Sequence, residues 1–452
     1  MKIISYRYLP MNLYVGYSFL VLMCLFIGPI KYKELDYIVL VAFVLVLNLF
    51  FFFGYVLGAR GDYRQSLEGA RGRYFAYQRI KRFLGFLLFL AVVSSVFKWY
   101  SALSAGVDLS LGNVGSKYVE FYEGYERGKA VIDLFYIMNI FDQASVVVVI
   151  LLCFYYFGVL GWTGRSAFLF VVITYLLINV VATGKQKYLG DVVVFALFSV
   201  AINFAVKGVR FKPSVICVAG AAAVFVFLMF VEILRQRYMA IGIGLDNIAE
   251  KVHPLIVWDQ SSLVLELVSE DYALAFSMFL MYLTNGLYGL YLSLTLPFEW
   301  TYFVGNSYSL GRIVEIAISS DKAVLEHTYP YRVGIIYGWG FDKWHSLFAW
   351  LASDITFLGV LLIAPLFSFS YGRLWLQAIK ASNPFAGPLF VYLSLGLIFS
   401  YANNQIMHTL AGVIVLLVLL TGWVLLHVCR TKTLTKVLDV TEGKGPMVAL
   451  NE

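Results

Sequence analysis

Long apolar stretches separated by short polar segments dominate the pattern of the chain. A helix that crosses a bilayer needs about 20 predominantly apolar residues, and ten stretches reach that length. They lie near residues 12–30, 37–58, 83–101, 137–158, 166–183, 189–206, 214–233, 346–370, 386–403 and 406–428. Backbone polar groups in lipid must be satisfied within the segment, so helices are expected. The pattern predicts an all-α polytopic membrane protein with about ten transmembrane helices.

The spacing of the apolar stretches divides the chain into four parts. Residues 1–233 hold seven predicted spans, and residues 234–345 form one large polar loop. Residues 346–429 hold three further spans, and residues 430–452 form a short polar tail.

Composition supports a membrane protein and excludes several other classes. Hydrophobic residues make up 61% of the 452 residues, charged residues make up 13%, and the mean hydropathy is +0.80. The four cysteines show no CxxC spacing, so neither a disulfide framework nor a zinc site is expected. No short apolar core followed by a cleavage site begins the chain, so we expect the first span to be retained.

Charge sorts the polar segments into two sides. Segments 59–82 and 207–213 are rich in Lys and Arg, and so are the polar segments after the eighth and tenth spans. With ten spans these segments share one side, and the positive-inside rule places that side and both termini in the cytoplasm. Segments 102–135 and 234–345 carry more carboxylates than cations. The net charge of +7 therefore reflects topology, and nucleic acid is not an expected partner.

One further apolar run, residues 273–298, is interrupted by Thr284, Asn285 and Gly286. If it crossed the membrane, the basic residues after Arg430 would face outside, against the charge rule. We therefore predict a re-entrant or interfacial segment with a broken backbone at Thr-Asn-Gly, where freed amides can line a site. The alternative is an additional kinked span in which the three residues only pack.

Candidate functional residues cluster at the predicted outer ends of spans. Glu232, Arg235 and Arg237 follow the seventh span, where arginines can bind phosphate oxygens in a bidentate manner. Lys185 and Lys187 lie in the tight turn between the fifth and sixth spans. Cations on an otherwise acidic side run against the topological rule, although snorkelling and helix capping explain them equally simply.

Histidine and one buried carboxylate complete the candidate chemistry. His345 precedes the eighth span and Asp354 lies within it, where an ionisable side chain is costly unless it has a function. An unperturbed imidazole suits a general base near neutrality, so His345 and His327 are candidates, and ordinary interfacial histidines are the alternative. Arg312 and Arg332 are further cations of the long loop. His408 and His427 are interpreted as packing or end residues of the last span.

These landmarks resemble the bacterial O-antigen polymerase (Wzy-type) family, within the wider polymerase and ligase group. The segment "YLTNGLYGLYLSLTLPFEWTYFVGNSYSLGR" is similar to a Tyr-rich, Gly-Leu-containing segment of that family. "DITFLG", beginning at Asp354, is similar to a D-F-G-x-x-G pattern at the start of a late span. Ile355 and Thr356 stand here where that pattern has an aromatic residue and a glycine. The resemblance covers about residues 180–360.

The resemblance implies an architecture similar to GT-C-type glycosyltransferases and an inverting glycosyl transfer on the periplasmic face of the inner membrane. The donor would be a glycan on undecaprenyl pyrophosphate, with neither metal nor other cofactor. Arg235, Arg237, Lys185, Lys187 and Arg312 are then expected to stabilise the pyrophosphate leaving group. The same resemblance implies that the base is His345, Glu232 or His327. It also implies substrate contacts from Tyr282, Asn285, Gly286, Asp354 and Arg332.

The family also implies partners, namely membrane lipids, a chain-length regulator and a flippase. Three alternatives to a polymerase stay open. An O-antigen ligase would transfer the glycan to lipid A-core from the same donor. A transporter of lipid-linked sugars would be expected to show a repeat of spans, and none is visible in the sequence. A membrane acyltransferase could use His345 and Asp354.

Overall fold

The computed structural model describes residues 4–60, 68–110, 114–127, 134–207, 213–318, 323–341 and 343–441. Seventeen α-helices lie within these ranges. In chain order they are α1 Ile4–Arg7, α2 Leu9–Ile27, α3 Tyr37–Gly58, α4 Glu68–Ser104, α5 Val114–Arg127, α6 Leu134–Tyr156, α7 Trp162–Leu176, α8 Lys187–Lys207, α9 Pro213–Ala240, α10 Ile248–Val252, α11 Leu263–Glu266, α12 Glu270–Leu294, α13 Tyr308–Ala317, α14 Tyr329–Tyr337, α15 Leu347–Lys380, α16 Ala386–Phe399 and α17 Leu410–Thr441. Short 3-10 turns cover Phe157–Val159 and Leu325–His327, and a π-helical turn covers Leu177–Val181.

The prediction of a polytopic helical protein is confirmed at the level of its helices. Each of the ten predicted spans is matched by a helix, namely α2, α3, α4, α6, α7, α8, α9, α15, α16 and α17. Within the described part of the chain, eight helices are long and apolar enough to cross a membrane. Seven of these coincide with predicted spans, and the eighth is α12. Helix α16 and residues Leu410–Leu426 of α17 are shorter apolar helices.

Two short strands, β1 Ile30–Tyr32 and β2 Ile256–Trp258, add a feature that the sequence analysis missed. They pair antiparallel, with Ile30 opposite Trp258 and Tyr32 opposite Ile256. The pairing joins the segment after α2 to the long polar loop. It therefore fixes part of that loop against the helix bundle.

Close packing between α3 and α15 forms the centre of the bundle. Gly54 and Gly58 lie one turn apart on α3, and both face α15. A Cβ atom on Gly54 would lie 2.1 Å from the carbonyl oxygen of Pro365, and one on Gly58 would lie 2.0 Å from that of Phe369. Small residues at this spacing let two membrane helices approach closely, so dispersion contacts can hold them together where water supplies no hydrophobic drive.

The predicted backbone break at Thr284, Asn285 and Gly286 is wrong, because α12 is continuous from Glu270 to Leu294. The Thr284 hydroxyl donates to the carbonyl of Leu280 one turn earlier, so its hydrogen-bonding need is met within the helix. Gly286 serves close approach instead. A Cβ atom there would lie 2.3 Å from the carbonyl oxygens of both Tyr401 and Ala402.

The helix break lies instead in α15, at Thr356. This residue has φ 67° and ψ 164°, which is non-helical and almost confined to glycine. The Thr356 hydroxyl accepts a hydrogen bond from the Gly359 amide at 3.1 Å, which caps the second half of the helix. A threonine therefore holds a backbone conformation that glycine would favour.

Helix α12 packs against α9 and against the segment after α2. Its rings Phe276 and Phe279 contact Phe227, which lies inside α9 and inside a predicted span. The Tyr32 hydroxyl, just after α2, is 2.7 Å from the Thr284 hydroxyl. Tyr32, like the neighbours of Gly286, belongs to a segment that ends or joins predicted spans.

Candidate functional site

Seven segments meet at one end of the helix bundle, which we call the site end. Tyr32 contacts Thr284, and the Gln186 amide donates to the carbonyl of Phe230 at 3.0 Å. The Gln405 amide donates to Asp191 at 2.7 Å. The segments of the site end are 30–34, 114–118, 184–191, 230–238, 280–289, 339–345 and 400–408. In the topology predicted from charge, all of them lie on the acidic side.

A cavity of about 440 Å³ opens at the site end. Its lining combines cations, imidazoles, amides and aromatic rings with an apolar wall. The lining residues are Tyr118, Arg237, Tyr238, Ile241, Ile243, Lys251, Val252, Met278, Met281, Tyr282, Asn285, Phe341, Lys343, Trp344, His345, Trp350, Asn403 and His408. No carboxylate occurs among these described residues. The cavity therefore suits a ligand that carries negative charge beside groups that stack on rings.

Arg237 is the best-defined cation of the cavity. It lies in the last turn of α9, and its guanidinium carbon is 3.5 Å from the centroid of the Tyr118 ring. Its Nη1 donates to the Tyr282 hydroxyl at 3.0 Å, and that hydroxyl is 3.1 Å from the Tyr238 hydroxyl. Among the described contacts Arg237 has only phenol and ring partners, which orient a guanidinium without neutralising its charge. That charge is left for a ligand.

Two histidines from separate segments line the same cavity. His345 is buried, and its Nε2 is 3.1 Å from the carbonyl oxygens of both Trp339 and Gly340. Carbonyls only accept, so Nε2 carries the proton, and Nδ1 is the nitrogen able to take one. The ring lies beside Gly289 of α12.

The sequence predicts His408 within the last span, but the structure places it in the turn before α17. Its ring stacks on Tyr308, with the ring centroids 5.5 Å apart, and meets Trp350 edge to face. Burial, followed by the neighbouring Lys187 and His345, lowers the pKa of His408 to about 4. His408 is therefore a neutral imidazole at physiological pH.

The basic turn predicted from Lys185 and Lys187 borders the cavity without lining it. Gly184 adopts a left-handed φ of 68° and packs against Val114 and Tyr118 of α5. Burial, and then the neighbouring charge of Lys187, lowers the pKa of Lys185. Because Tyr118 lines the cavity, its contact with Gly184 places the turn at the edge of the cavity.

Four of the predicted site residues share the cavity lining, namely Arg237, Tyr282, Asn285 and His345. Gly286 lies behind that wall, against the backbone of residues 401 and 402. The structure thus brings together residues of three segments that are distant in sequence.

Glu232 and Arg235 form a pair of their own away from the cavity lining. Arg235 donates through Nε and Nη2 to the two carboxylate oxygens of Glu232, each at 2.9 Å. Glu232 also accepts from Gln236 and Tyr272. The carboxylate neutralises Arg235, so this arginine offers less to an anionic ligand than Arg237 does.

Arg312 is also paired outside the cavity lining. Its Nη1 is 3.0 Å from a carboxylate oxygen of Glu315, which is almost fully buried. Glu315 accepts from the amides of Val324 and Leu325 as well. The pair holds the segment after α13 in place.

Asp354, Arg332 and His327 meet at another structure, the loop between α12 and α13. Asp354 accepts hydrogen bonds from the Gly305 amide at 3.1 Å and from the Asn306 amide at 2.8 Å. Arg332 donates to the carbonyl oxygen of Pro297 at 2.7 Å. Glu299 in the same loop pairs with Arg332 and His327. These three predicted site residues fix the loop and do not line the cavity.

The sequence analysis missed six polar residues of the lining, namely Tyr118, Tyr238, Lys251, Lys343, Asn403 and His408. The argument that singled out Arg237, a cation on the acidic side, applies equally to Lys251 and Lys343. Asn403 and His408 were assigned to spans, although the structure places a turn from Ser400 to Thr409 between α16 and α17. Nothing in the sequence marks Tyr118.

No group of three or more His, Cys, Asp or Glu side chains within the described ranges is placed to hold a metal ion. Comparison of the chain with protein-family models, with curated proteins and with solved structures finds no match.

Proposed function

We propose that the chain is a membrane glycosyltransferase that joins lipid-linked oligosaccharide repeat units, in the manner of an O-antigen polymerase. The observation that carries the proposal is the convergence of Arg237, Lys251 and Lys343 in one cavity with rings and imidazoles, where the described lining residues include no carboxylate. A diphosphate matches the cations of this lining, an attached sugar matches its rings, and an apolar tail matches its apolar side chains. The resemblance described above names that ligand as undecaprenyl pyrophosphate carrying a glycan.

In the proposed reaction, a hydroxyl of the acceptor sugar attacks C1 of the donor sugar, and the bond between C1 and the diphosphate oxygen breaks. The configuration at C1 inverts in this single displacement. Negative charge grows on the departing lipid diphosphate, and the fixed charges of Arg237, Lys251 and Lys343 stabilise it. Lys185 and Lys187 add positive charge at the edge of the cavity.

The hydroxyl proton passes to a base in the same wall. His345 is our first choice, since its ring lines the cavity and its Nε2 proton is held by two carbonyls. Its Nδ1 is buried beside Gly289 in this structure, so proton transfer requires the imidazole to turn toward the cavity. His408 is the second choice. Glu232 and His327 do not line the cavity, so the proposal gives them no catalytic part.

The walls suit the rest of the substrate. Trp344, Trp350 and Phe341 offer ring faces to sugars, and Asn285 and Asn403 offer amides to sugar hydroxyls. Across the cavity, Ile241, Ile243, Val252, Met278 and Met281 form an apolar wall that fits the first isoprene units of a lipid.

The proposal places the protein in the bacterial inner membrane, with the site end facing the periplasm and a GT-C-like arrangement of helices. Helix α12 then lies along the outer helix ends, which keeps ten crossings and leaves the basic residues after Arg430 in the cytoplasm. A flippase would deliver the lipid-linked units, and a chain-length regulator would limit the product.

Comparison of two arginines on adjacent faces of α9 tests the proposal. In the host lacking the gene, a plasmid supplies wild type, Arg237→Ala, Arg237→Lys or Arg235→Ala, and lipopolysaccharide is resolved on gels. We expect Arg237→Ala to lose about 100-fold or more of the polymer, since removal of one transition-state donor costs that much. Arg235, neutralised by Glu232, provides the matched control and should stay within a few-fold of wild type.

Protein abundance is measured in the same membranes by immunoblot. Normal ladders from Arg237→Ala at wild-type abundance would rule out the cavity as the site. The empty deletion host separates the two related activities. A core carrying one repeat unit supports a polymerase, whereas a bare core identifies a ligase and contradicts the proposal.

A further inference from the structure

Three large aromatic rings project outward from the loop between α12 and α13. Trp300 is 48% exposed, Tyr302 is 62% exposed and Phe303 is 64% exposed. The Trp300 ring centroid lies 4.9 Å from that of Tyr302 and 5.4 Å from that of Phe303. We call residues 298–306 the aromatic loop. Exposed rings that contact one another form a continuous patch, which is unusual on a surface that faces only water.

The backbone of the aromatic loop is held in a strained shape. Tyr302 has φ 56° and Phe303 has φ 63°, both in the left-handed region that bulky residues avoid. Each such residue costs about 1–3 kcal/mol, and such a conformation persists only when its surroundings enforce it.

A buried carboxylate enforces this conformation. Asp354 accepts from the amides of Gly305 and Asn306, from the Asn306 side chain at 2.6 Å and from the Thr301 hydroxyl. Asp354 is only 5% exposed. Four donors around one carboxylate tie the loop tightly to α15.

The position of Asp354 along α15 sets the depth of the loop. Beyond the break at Thr356, residues 357–380 of α15 span about 36 Å, slightly more than a bilayer hydrocarbon core of about 30 Å. If this part of α15 crosses the core, Asp354, two residues before the break, lies just outside it. The aromatic loop thus lies level with the boundary between lipid headgroups and acyl chains. Just beyond it, Leu358 and Leu362 of α15 are 66% and 60% exposed, as lipid-facing residues are.

We propose that the aromatic loop inserts Trp300, Tyr302 and Phe303 into the interfacial region of the lipid bilayer and anchors the site end to it. Trp and Tyr favour this region, because their rings are apolar and their N–H and O–H groups can reach water or headgroups. Non-helical backbone is tolerated at this depth because Asp354 satisfies the amides that lipid cannot.

The anchor reaches the cavity through hydrogen bonds. The Asn404 side-chain amide donates to the carbonyl oxygen of Asn306 at 2.6 Å, and Ser309 donates to that of His408 at 2.9 Å. Ser307 donates to the carbonyl oxygen of Met407. The turn that carries Asn403 and His408 is therefore attached to a loop seated in lipid. This inference does not depend on the reaction proposed above.

Spin labelling tests the inference in the full chain, reconstituted into phosphatidylethanolamine–phosphatidylglycerol vesicles. The four native cysteines are replaced, and single cysteines are introduced as Trp300→Cys, Leu362→Cys as the lipid reference and Ser261→Cys as the exposed loop reference. Collision of each label with oxygen, which concentrates in lipid, is compared with collision with a water-soluble nickel chelate.

We expect the label at position 300 to collide with oxygen more often than with the chelate, as at position 362 and unlike at position 261. Chelate access equal to that at position 261 would overturn the proposal, since the rings would then face water and could serve as a glycan surface. Exclusion of both reagents would overturn it too, because a protein partner would cover the patch. Adding Asp354→Asn should raise the mobility of the label at position 300 and its access to the chelate, while gel filtration confirms a folded protein.

Discussion

The guanidinium of Arg237 lies over the ring of Tyr118, with the guanidinium carbon 3.5 Å from the ring centroid. Arg237 belongs to α9 and Tyr118 to α5, and the two residues are more than a hundred positions apart in the sequence. Gly115 packs against the backbone of Arg237, so the two helices meet closely at this point. Helix α5 therefore forms the support on which the main cation of the cavity rests.

Removing the Tyr118 ring should weaken binding of a diphosphate. A cation–π contact contributes about 2 kcal/mol when it is shielded from water, so we expect Tyr118→Ala to lower affinity about tenfold or more. Tyr118→Phe keeps the ring face and should stay within about threefold of wild type. Undecaprenyl pyrophosphate is the probe, titrated onto the purified protein in detergent by microscale thermophoresis. Tyr272→Ala is the control, because that ring lies beside Arg235, 5.6 Å from its guanidinium carbon. Equal losses in the two alanine variants would contradict the role of Tyr118.

Acidification should destabilise the protein through His408. Burial first, and then the neighbouring Lys187 and His345, lowers the pKa of this imidazole to about 4, whereas an unfolded histidine titrates near 6.5. Between these values the unfolded state binds the additional proton, so stability is lost as the pH falls from about 6.5 to about 4. The difference corresponds to about 3 kcal/mol.

Thermal unfolding of wild type and His408→Gln at pH 7.5 and pH 4.5 measures this contribution. The variant should lose less stability on acidification than wild type does. Lys187→Gln removes a neighbouring positive charge, so the pKa of His408 should rise and the variant should lose less stability on acidification than wild type does. Identical pH dependence in wild type and His408→Gln would show that His408 is not held neutral.

The bend in α15 predicts an unusual effect of glycine. Thr356→Gly and Thr356→Ala both remove the hydroxyl that accepts from the Gly359 amide. Only glycine relieves the positive φ, so the glycine variant should be more stable than the alanine variant by about 1–2 kcal/mol. Unfolding of both variants by graded SDS in mixed micelles gives the difference. An alanine variant as stable as the glycine variant would show that residue 356 is not held at φ 67°.

Packing at Gly286 predicts a strong effect from a single added methyl group. A Cβ atom there would lie 2.3 Å from two carbonyl oxygens, so Gly286→Ala should destabilise the protein by about 1–3 kcal/mol. Gly16→Ala in α2 is the matched control, since no atom lies within 4 Å of its Cβ position. There alanine should be neutral or stabilise the helix by up to about 1 kcal/mol. Both are measured by the temperature at which half of the detergent-solubilised protein remains soluble, and equal values would contradict the close approach.

The sequence by itself determined where the helices lie. Each of the ten predicted spans coincides with a helix, because about 20 consecutive apolar residues in lipid have few alternatives to helical hydrogen bonding. The sequence also singled out Arg237, Tyr282, Asn285 and His345, because a cation, a helix-end amide or a histidine at a span end is locally conspicuous.

Only the tertiary structure decided which of these residues act together. The local propensity of Asn285 and Gly286 disfavours helix and therefore predicts a break in the backbone. In the folded protein they contact Tyr32 and residues 401 and 402, and α12 is continuous. Thr356 bends instead, although its type gives no sign of it. Likewise, Asp354 bonds to Asn306 of the aromatic loop across 48 positions of the chain. The contacts of Tyr118 with Arg237 and of His408 with Tyr308 join residues about a hundred positions apart or more. Hydrophobic pattern is a local property, whereas close packing and the sharing of hydrogen-bond donors depend on which distant segments meet.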